Sequence, residues 1–396
     1  MERLRANEPG LVAIVGAGFA GLALACALSR AGRQVAVLER RAALPAAGAA
    51  IAIQPNGLSA LERLGLLEPA LAAGSRIERL LMHDRRGRLV ARVDYGELDV
   101  VTPFMLLVRR HDLLRVLADG LASLGGDPVM YGAEVFALIR HDGSVRGIRY
   151  RRGDEDEELG AWCVAGADGV RSAVRRELAF PLRTWGHDQA YVVGIGARPA
   201  ELEDGTALVY HGAGYANGVM PLGDRGYFYD SVTPPNRTAV EARDLDGWRA
   251  AYAARVPYAA ELTAGLTRWD ELTVLSARPG RASQRIAEGA ALLGDAAAIV
   301  HPHSAQGTNL ALEDGVALGQ LLARLDPNIA LRRTGLAPYQ RLRGRKAARY
   351  VAWSRWAGAT FDGATTPWRA VRWSGWQWQR VPPVRRALLR FGAGLR

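Results

Sequence analysis

Three stretches of this 396-residue sequence carry residue types and spacings that can do chemistry. The first is Gly16-Ala17-Gly18-Phe19-Ala20-Gly21. Gly16 permits a tight turn, Gly18 lets backbone approach a pyrophosphate, and Gly21 lets a helix pack close to a strand. Glu39, 18 residues beyond Gly21 and followed by Arg40, is an acid placed to accept hydrogen bonds from a ribose hydroxyl. The second runs from Gly294-Asp295 through Pro302 to Gly307-Thr308-Asn309. A Gly-Asp turn offers a carboxylate to a polyol hydroxyl, and a helix starting at Gly307 brings a partial positive charge to the same place. The third is Ala167-Asp168-Gly169, where Asp168 is either a ligand contact or part of a plain turn with Arg171 and Arg175 as its ion-pair partners.

These residues work only if strands and helices present them together. Leu11–Val15 is a short apolar run without polar alternation, as a strand buried on both faces should be. Leu22–Ser29 has the Ala/Leu composition of a helix, Gly32 ends it, and Gln34–Leu38 reads as a second buried strand. Strand, glycine turn, helix, strand and acid in that order make a dinucleotide site, where the glycine motif alone would be weak. Trp162–Ala165 and Ala290–Leu293 read as strands leading into the other two motifs. Residues 76–104 and 185–275 read as strand-rich, with Gly223-Asp224 and Pro234-Pro235 as turns, and Asp154–Glu158 as a solvated acidic turn. A hairpin is expected around Asp142-Gly143.

The expected architecture is α/β. A Rossmann-like nucleotide-binding domain is assembled from residues 1–75, 105–180 and 276–325. An inserted antiparallel β lobe of 76–104 and 181–275 binds substrate, and 326–396 form a basic, Trp-rich helical C-terminal region. The formal net charge of +11 divides unevenly: residues 324–396 carry +14 and the first 323 carry −3. The charge therefore belongs to the tail, and no nucleic-acid recognition module accompanies it. The apolar stretch 11–29 after Arg3 and Arg5 has glycines at turn spacing and no cleavage-like site, which sets aside a signal peptide or membrane span. The two cysteines, Cys26 and Cys163, lie in apolar stretches and point to a reduced, cytoplasmic setting.

Two helix N-termini in one site favour FAD over NAD. An isoalloxazine ring becomes anionic at its N1/C2=O edge on reduction and gains from the second terminus, whereas a nicotinamide gains little. Over about residues 11–325 the chain resembles the class A FAD-dependent aromatic monooxygenases of the para-hydroxybenzoate hydroxylase type. Gly16, Gly18, Gly21 and Glu39 match that family's FAD fingerprint, and Ala167 to Arg175 match its Asp-Gly motif. Gly294–Asp314, with Pro302, Gly307 and Asn309, match its Gly-Asp motif. Arg110-His111-Asp112-Leu113 looks like its helix start, whose arginine contacts the ribityl–phosphate part of the flavin. The chain departs from the pattern at Ala298, where many members have histidine, and at Gly48-Ala49-Ala50-Ile51.

The resemblance implies an enzyme in which NADH or NADPH reduces the FAD as a transient co-substrate. Reduced flavin takes up O₂ as a C4a-hydroperoxide, and one oxygen atom enters a small aromatic or polycyclic substrate. Epoxidation, Baeyer–Villiger insertion, N-oxidation and a flavin-binding partner without turnover are the alternatives. His301, His303, His211 and Tyr229 are the substrate-pocket candidates. His301 and His303, with one residue between them and no supporting carboxylate or cysteine cluster, make a poor metal site, so none is expected. Six of ten tryptophans fall in 353–378, and Val384, Leu388 and Phe391 follow at helical spacing among arginines. Packing of this region on the body is the expected arrangement. A peripheral contact with the inner membrane face through the last turns is the alternative.

Overall fold

Val12–Val15 is buried along its whole length and sits inside a six-stranded sheet. That sheet runs Ile286–Ala287, Ala290–Leu292, Cys163–Gly166, Val12–Val15, Val35–Glu39, Val129–Tyr131. All are parallel except the outermost, Ile286–Ala287. The computed structural model describes residues 10–46, 48–84, 86–125, 128–185, 190–212, 214–276, 278–302, 305–362 and 381–395, with side chains left out at 357–362.

Alternation along the first strand decides what covers each face. Val12 and Ile14 point toward three helices, Phe19–Arg30, Arg110–Ala122 and Gly307–Leu322. Leu11, Ala13 and Val15 point toward a three-stranded antiparallel sheet of Ala133–His141, Ser144–Arg152 and Glu155–Gly160. The expected hairpin turns at Asp142 and Gly143, both at positive φ, as a two-residue turn requires. The acidic run read as a solvated turn is instead the strand Glu155–Gly160. Its charges face opposite charges: Asp156 sits across from Arg151 and Glu158 across from Arg149.

The substrate lobe is a nine-stranded sheet, antiparallel except where Gly205–Gly212 runs parallel to Gly74–Asp84. It also takes in Ala50–Ile53 and Met105–Arg109, segments that the sequence division places with the nucleotide-binding part. Period-two alternation again sorts the faces. Tyr191, Val193, Met220 and Tyr227 point to one side, while Val192, Val219 and Phe228 point to the other. The second side is covered by helices Pro234–Ala242, Leu245–Ala253 and Ala259–Thr263. Pro234 and Pro235, read as a turn within strands, open the first of these after a Thr233 cap.

The C-terminal region is helical, Arg333–Asp362 and Pro382–Gly392. Leu389 and Ala393 enter the core of the substrate lobe, and Phe391 stacks on Tyr350. The last helix is therefore a packed element, and the arrangement gives no support to the membrane alternative. Trp368, Trp373, Trp376 and Trp378 lie outside the described residues. Among the described residues, no helix is long and apolar enough to cross a membrane.

Candidate cofactor and substrate site

The first strand delivers the chain to Gly16, whose φ of 103° suits glycine. A Cβ on Gly21 would overlap the Gly16 carbonyl oxygen, so turn and helix close on each other only with glycine at 21. Gly18 differs from both. Its φ is −85°, open to any residue, and a Cβ there would meet no protein atom within 4 Å. It stands at the N-cap of helix Phe19–Arg30, and the space beside it lies in front of that helix's unsatisfied N–H groups. Glu39 is buried at the end of its strand. Its carboxylate accepts from the backbone N–H of Ala17 and of Arg41, both at 3.0 Å, which fixes the glycine turn from behind. Arg40 is exposed and does not border the cavity.

The strand Ala290–Leu292 ends in a 3-10 turn, Gly294–Ala296, that carries Asp295. Asp314 shapes this turn: its carboxylate accepts the Gly294 N–H and is itself held by Arg285 and Arg343. Asp295 opens into the cavity, with solvent access there and protein packed around its other sides. Burial raises its pKa above the ordinary aspartate value, against the pull of Arg110 and with the repulsion of Asp314. Arg110, at the start of its own helix, lies over the Phe19 ring at 5.3 Å and borders the same cavity. Burial, helped by Arg41, lowers its pKa, while Asp295 raises it.

Helix Gly307–Leu322 points its first turn at this cavity, with Pro302, Gly307 and Thr308 on the wall. Asn309 is turned away. Its Oδ1 accepts the Gln54 backbone N–H at 2.9 Å, and its Nδ2 donates to the Ala52 carbonyl at 3.1 Å. It clips the helix to the strand Ala50–Ile53. Asp168 also faces the protein: its Oδ2 accepts from the N–H groups of Ala173 and Val174, and its Oδ1 is buried without a hydrogen bond. Arg175 donates to the carbonyls of Val170 and Ala296, tying the Asp-Gly and Gly-Asp turns together.

The cavity has a volume of about 1000 Å³ and continues from the glycine turn into the substrate lobe. Leu80, Met82, Val209 and Met220 make that end apolar, with Tyr229 and Tyr191 edge to face beside them. Tyr229 therefore borders the cavity. His301 is fully buried, edge-on to Tyr191 behind the wall, and His211 is buried on strand Gly205–Gly212. Neither borders the cavity, and His303 lies outside the described residues. Sequence reasoning missed Gln54 and Tyr95, which meet on the wall, and the far wall of Trp353, Leu388 and Leu389. Nothing in the sequence placed Tyr95 there.

These features fit an FAD. The open space at Gly18 faces a helix N-terminus, as a pyrophosphate needs, and Asp295 presents a carboxylate to the cavity where a ribityl chain would carry hydroxyls. Gly307 and Thr308 present a second helix N-terminus where a flavin ring would lie.

Comparison with known proteins agrees. The model of the FAD binding domain family matches residues 11–354. The chain is similar to a 3-amino-4-hydroxybenzoate 2-monooxygenase of Streptomyces platensis, 31% identical over 94% of this chain and 93% of that one. It is also similar to a 6-methylpretetramide 4-monooxygenase of Streptomyces rimosus, 30% identical over 78% and 74% of the two chains. Among solved structures, PqsL of P. aeruginosa in complex with 2-aminobenzoylacetate shares the fold. Its TM-score is 0.81 at 24% identity, covering 92% of this chain and 98% of that one.

Proposed function

The chain belongs to the FAD-dependent aromatic monooxygenase family, and from that premise we propose that it uses NADH or NADPH and O₂ to hydroxylate an aromatic or polycyclic substrate held in the apolar end of its cavity. The observation that carries this reading is the convergence of two distant strand ends on one cavity. The turn at Gly16–Gly21 and the turn at Gly294–Asp295 open on the same space, which runs on without a break to Tyr229 and Met220.

FAD, when bound, would pass the electrons of NADH or NADPH to O₂ and carry the activated oxygen. The chain's own residues do the rest. Gly18 and the start of its helix receive the pyrophosphate, Asp295 and Arg110 hold the polyol portion, and the first turn of helix Gly307–Leu322 favours negative charge on the ring. Leu80, Met82, Val209 and Met220 exclude water around the reacting carbon, which protects the activated oxygen from loss. The relatives named for 3-amino-4-hydroxybenzoate and 6-methylpretetramide support an aromatic substrate of variable size.

The test is direct. Purified protein loaded with FAD should oxidise NADH or NADPH under air faster when a phenolic substrate is present, with product heavier by one oxygen atom. Reduced nucleotide consumption without any oxygenated product from a broad phenol panel would refute the hydroxylase reading.

A further inference from the structure

Gln54 occupies the N-cap of helix Pro55–Arg63, yet its side chain makes no cap hydrogen bond. Ser, Thr, Asp or Asn would serve that position better. The helix start needs no help from the side chain, because the Asn56 N–H is held by the Ala393 carbonyl and the Gly57 N–H by the Gln54 carbonyl. Instead the amide turns into the cavity wall. Its Oε1 accepts from the Tyr95 hydroxyl at 2.9 Å, and its Nε2 lies 3.3 Å from the Met105 thioether. Met105 sulfur can only accept, so it selects the nitrogen, and Tyr95 must then donate to the oxygen. The amide orientation is fixed from both ends. Gln54 is 6% exposed and Tyr95 4%, and both border the cavity.

A glutamine amide has two N–H donors, and among the described residues the only acceptor for them is a thioether, a weak one. One N–H is left at the cavity wall with no hydrogen-bond partner of its own, and a buried donor without a partner is costly. Its surroundings are electrically quiet. Burial pushes the Tyr95 phenol up to about 12, so it stays neutral. The Asp94 carboxylate is engaged by the Gly96 N–H and Arg92, and Arg385 by Glu97.

We infer that Gln54, oriented by Tyr95, positions the aromatic substrate by donating its remaining amide N–H to an uncharged oxygen substituent, a carbonyl or a phenol hydroxyl, on the ring. This rests on the hydroxylase reading above and names the substrate chemistry of that site. Gln54 is the contacting residue. Tyr95 acts through it.

The experiment uses the FAD-loaded protein, whose FAD content is measured first and tests the flavin reading separately. Binding of 2-naphthol, naphthalene and 2-naphthoate is followed by the change in the flavin's visible absorbance. Wild type should bind 2-naphthol at least about tenfold more tightly than naphthalene, the discrimination one hydrogen bond gives, and should not favour 2-naphthoate over the naphthol. Gln54→Leu, close in volume, should bring the naphthol-to-naphthalene ratio near one while leaving naphthalene binding unchanged. Tyr95→Phe removes one hydroxyl and should lower naphthol affinity a few-fold with naphthalene again unaffected, so it tests the inference even if Gln54→Leu fails to fold. The inference is overturned if FAD-loaded wild type gives no response to 2-naphthol or does not discriminate. It is equally overturned if the ratio survives in both variants, or if both ligands weaken together.

Discussion

Asp314 Oδ2 accepts the backbone N–H of Gly294 at 3.0 Å, across 20 residues of sequence. The helix that ends one side of the flavin site thus holds the strand end that forms the other. Arg285 and Arg343 close on the same carboxylate, and Arg343 reaches Glu313 as well. The two motif ends at 294 and 307 are one rigid unit, and Asp295 is presented by it.

Replacing Asp314 with Asn should unsettle that unit. It leaves the buried Arg285 guanidinium without its counter-charge and Arg343 with Glu313 alone, a change that costs about 3–5 kcal/mol. The two arginines hold the Asp314 pKa below the ordinary value despite its burial. Between the two pKa values the native state carries fewer protons than the unfolded chain. The stabilisation is therefore complete above an unfolded-state pKa of about 3.9 and is lost as pH falls through the folded value. Thermal melts of wild type and Asp314→Asn should differ widely at pH 7 and converge below about pH 4. A gap that stays constant down to pH 3 would contradict the assignment.

Asp295→Ala should leave the fold in place and weaken FAD retention. The carboxylate opens into the cavity, and removing a charge-assisted hydrogen bond costs about 1.5–3 kcal/mol, roughly 10- to 100-fold in affinity. Flavin content after gel filtration reads this out. Content equal to wild type, with an unchanged melting temperature, would remove Asp295 from the site.

Two glycines of one motif should fail in different ways. At Gly18 an added methyl meets no protein atom, so Gly18→Ala should melt like wild type in its FAD-free form yet bind FAD poorly. At Gly21 the methyl collides with the Gly16 carbonyl oxygen, so Gly21→Ala should lose stability whether or not FAD is present. Melting curves with and without added FAD separate the two, and identical behaviour of both variants would refute the distinction.

Much of this arrangement was legible because it is local. Gly16, Gly18, Gly21 and Glu39 lie on one strand–turn–helix–strand unit, and the order of residue types dictates the geometry. What sequence could not supply was pairing at a distance. Asp156 and Glu158 are solvent-facing acids, but the strand pairing that sets Arg151 and Arg149 across from them joins residues the sequence alone does not pair. Asn309 lies in the motif next to the site but faces Ala52 and Gln54, over 250 residues earlier in the chain. His301 falls between cavity-lining neighbours Val300 and Pro302, yet its ring is buried edge-on to Tyr191 behind the wall. Leu389 is not among the residues that helical spacing singled out in the last helix, and its burial depends on a lobe formed by other segments.

That last helix yields a further test. Pro382–Gly392 and the residues after it are tied to the body at many points. Gln306 Nε2 donates to the Gly392 carbonyl, the Asn56 N–H to that of Ala393, Lys346 to that of Gly394 and the Tyr350 hydroxyl to that of Phe391. Arg385 pairs with Glu97 at 2.9 Å across the cavity edge. Leu388, Leu389 and Ala393 supply one wall of the substrate end, whereas the turns at 16–21 and 294–296 that receive the cofactor lie elsewhere. Ending the chain after Arg380 should therefore spare FAD binding and open the substrate end to water. The activated oxygen would then be lost before it reaches the ring. The expected signature is continued consumption of NADH or NADPH with a larger share of the oxygen appearing as hydrogen peroxide, measured with and without catalase. Leu389→Ala, which loses about 2–5 kcal/mol of packing at one point of the same wall, should shift the share in the same direction by less. If both variants convert substrate with the wild-type peroxide share, the helix is a clamp on the fold and has no part in keeping the reaction dry.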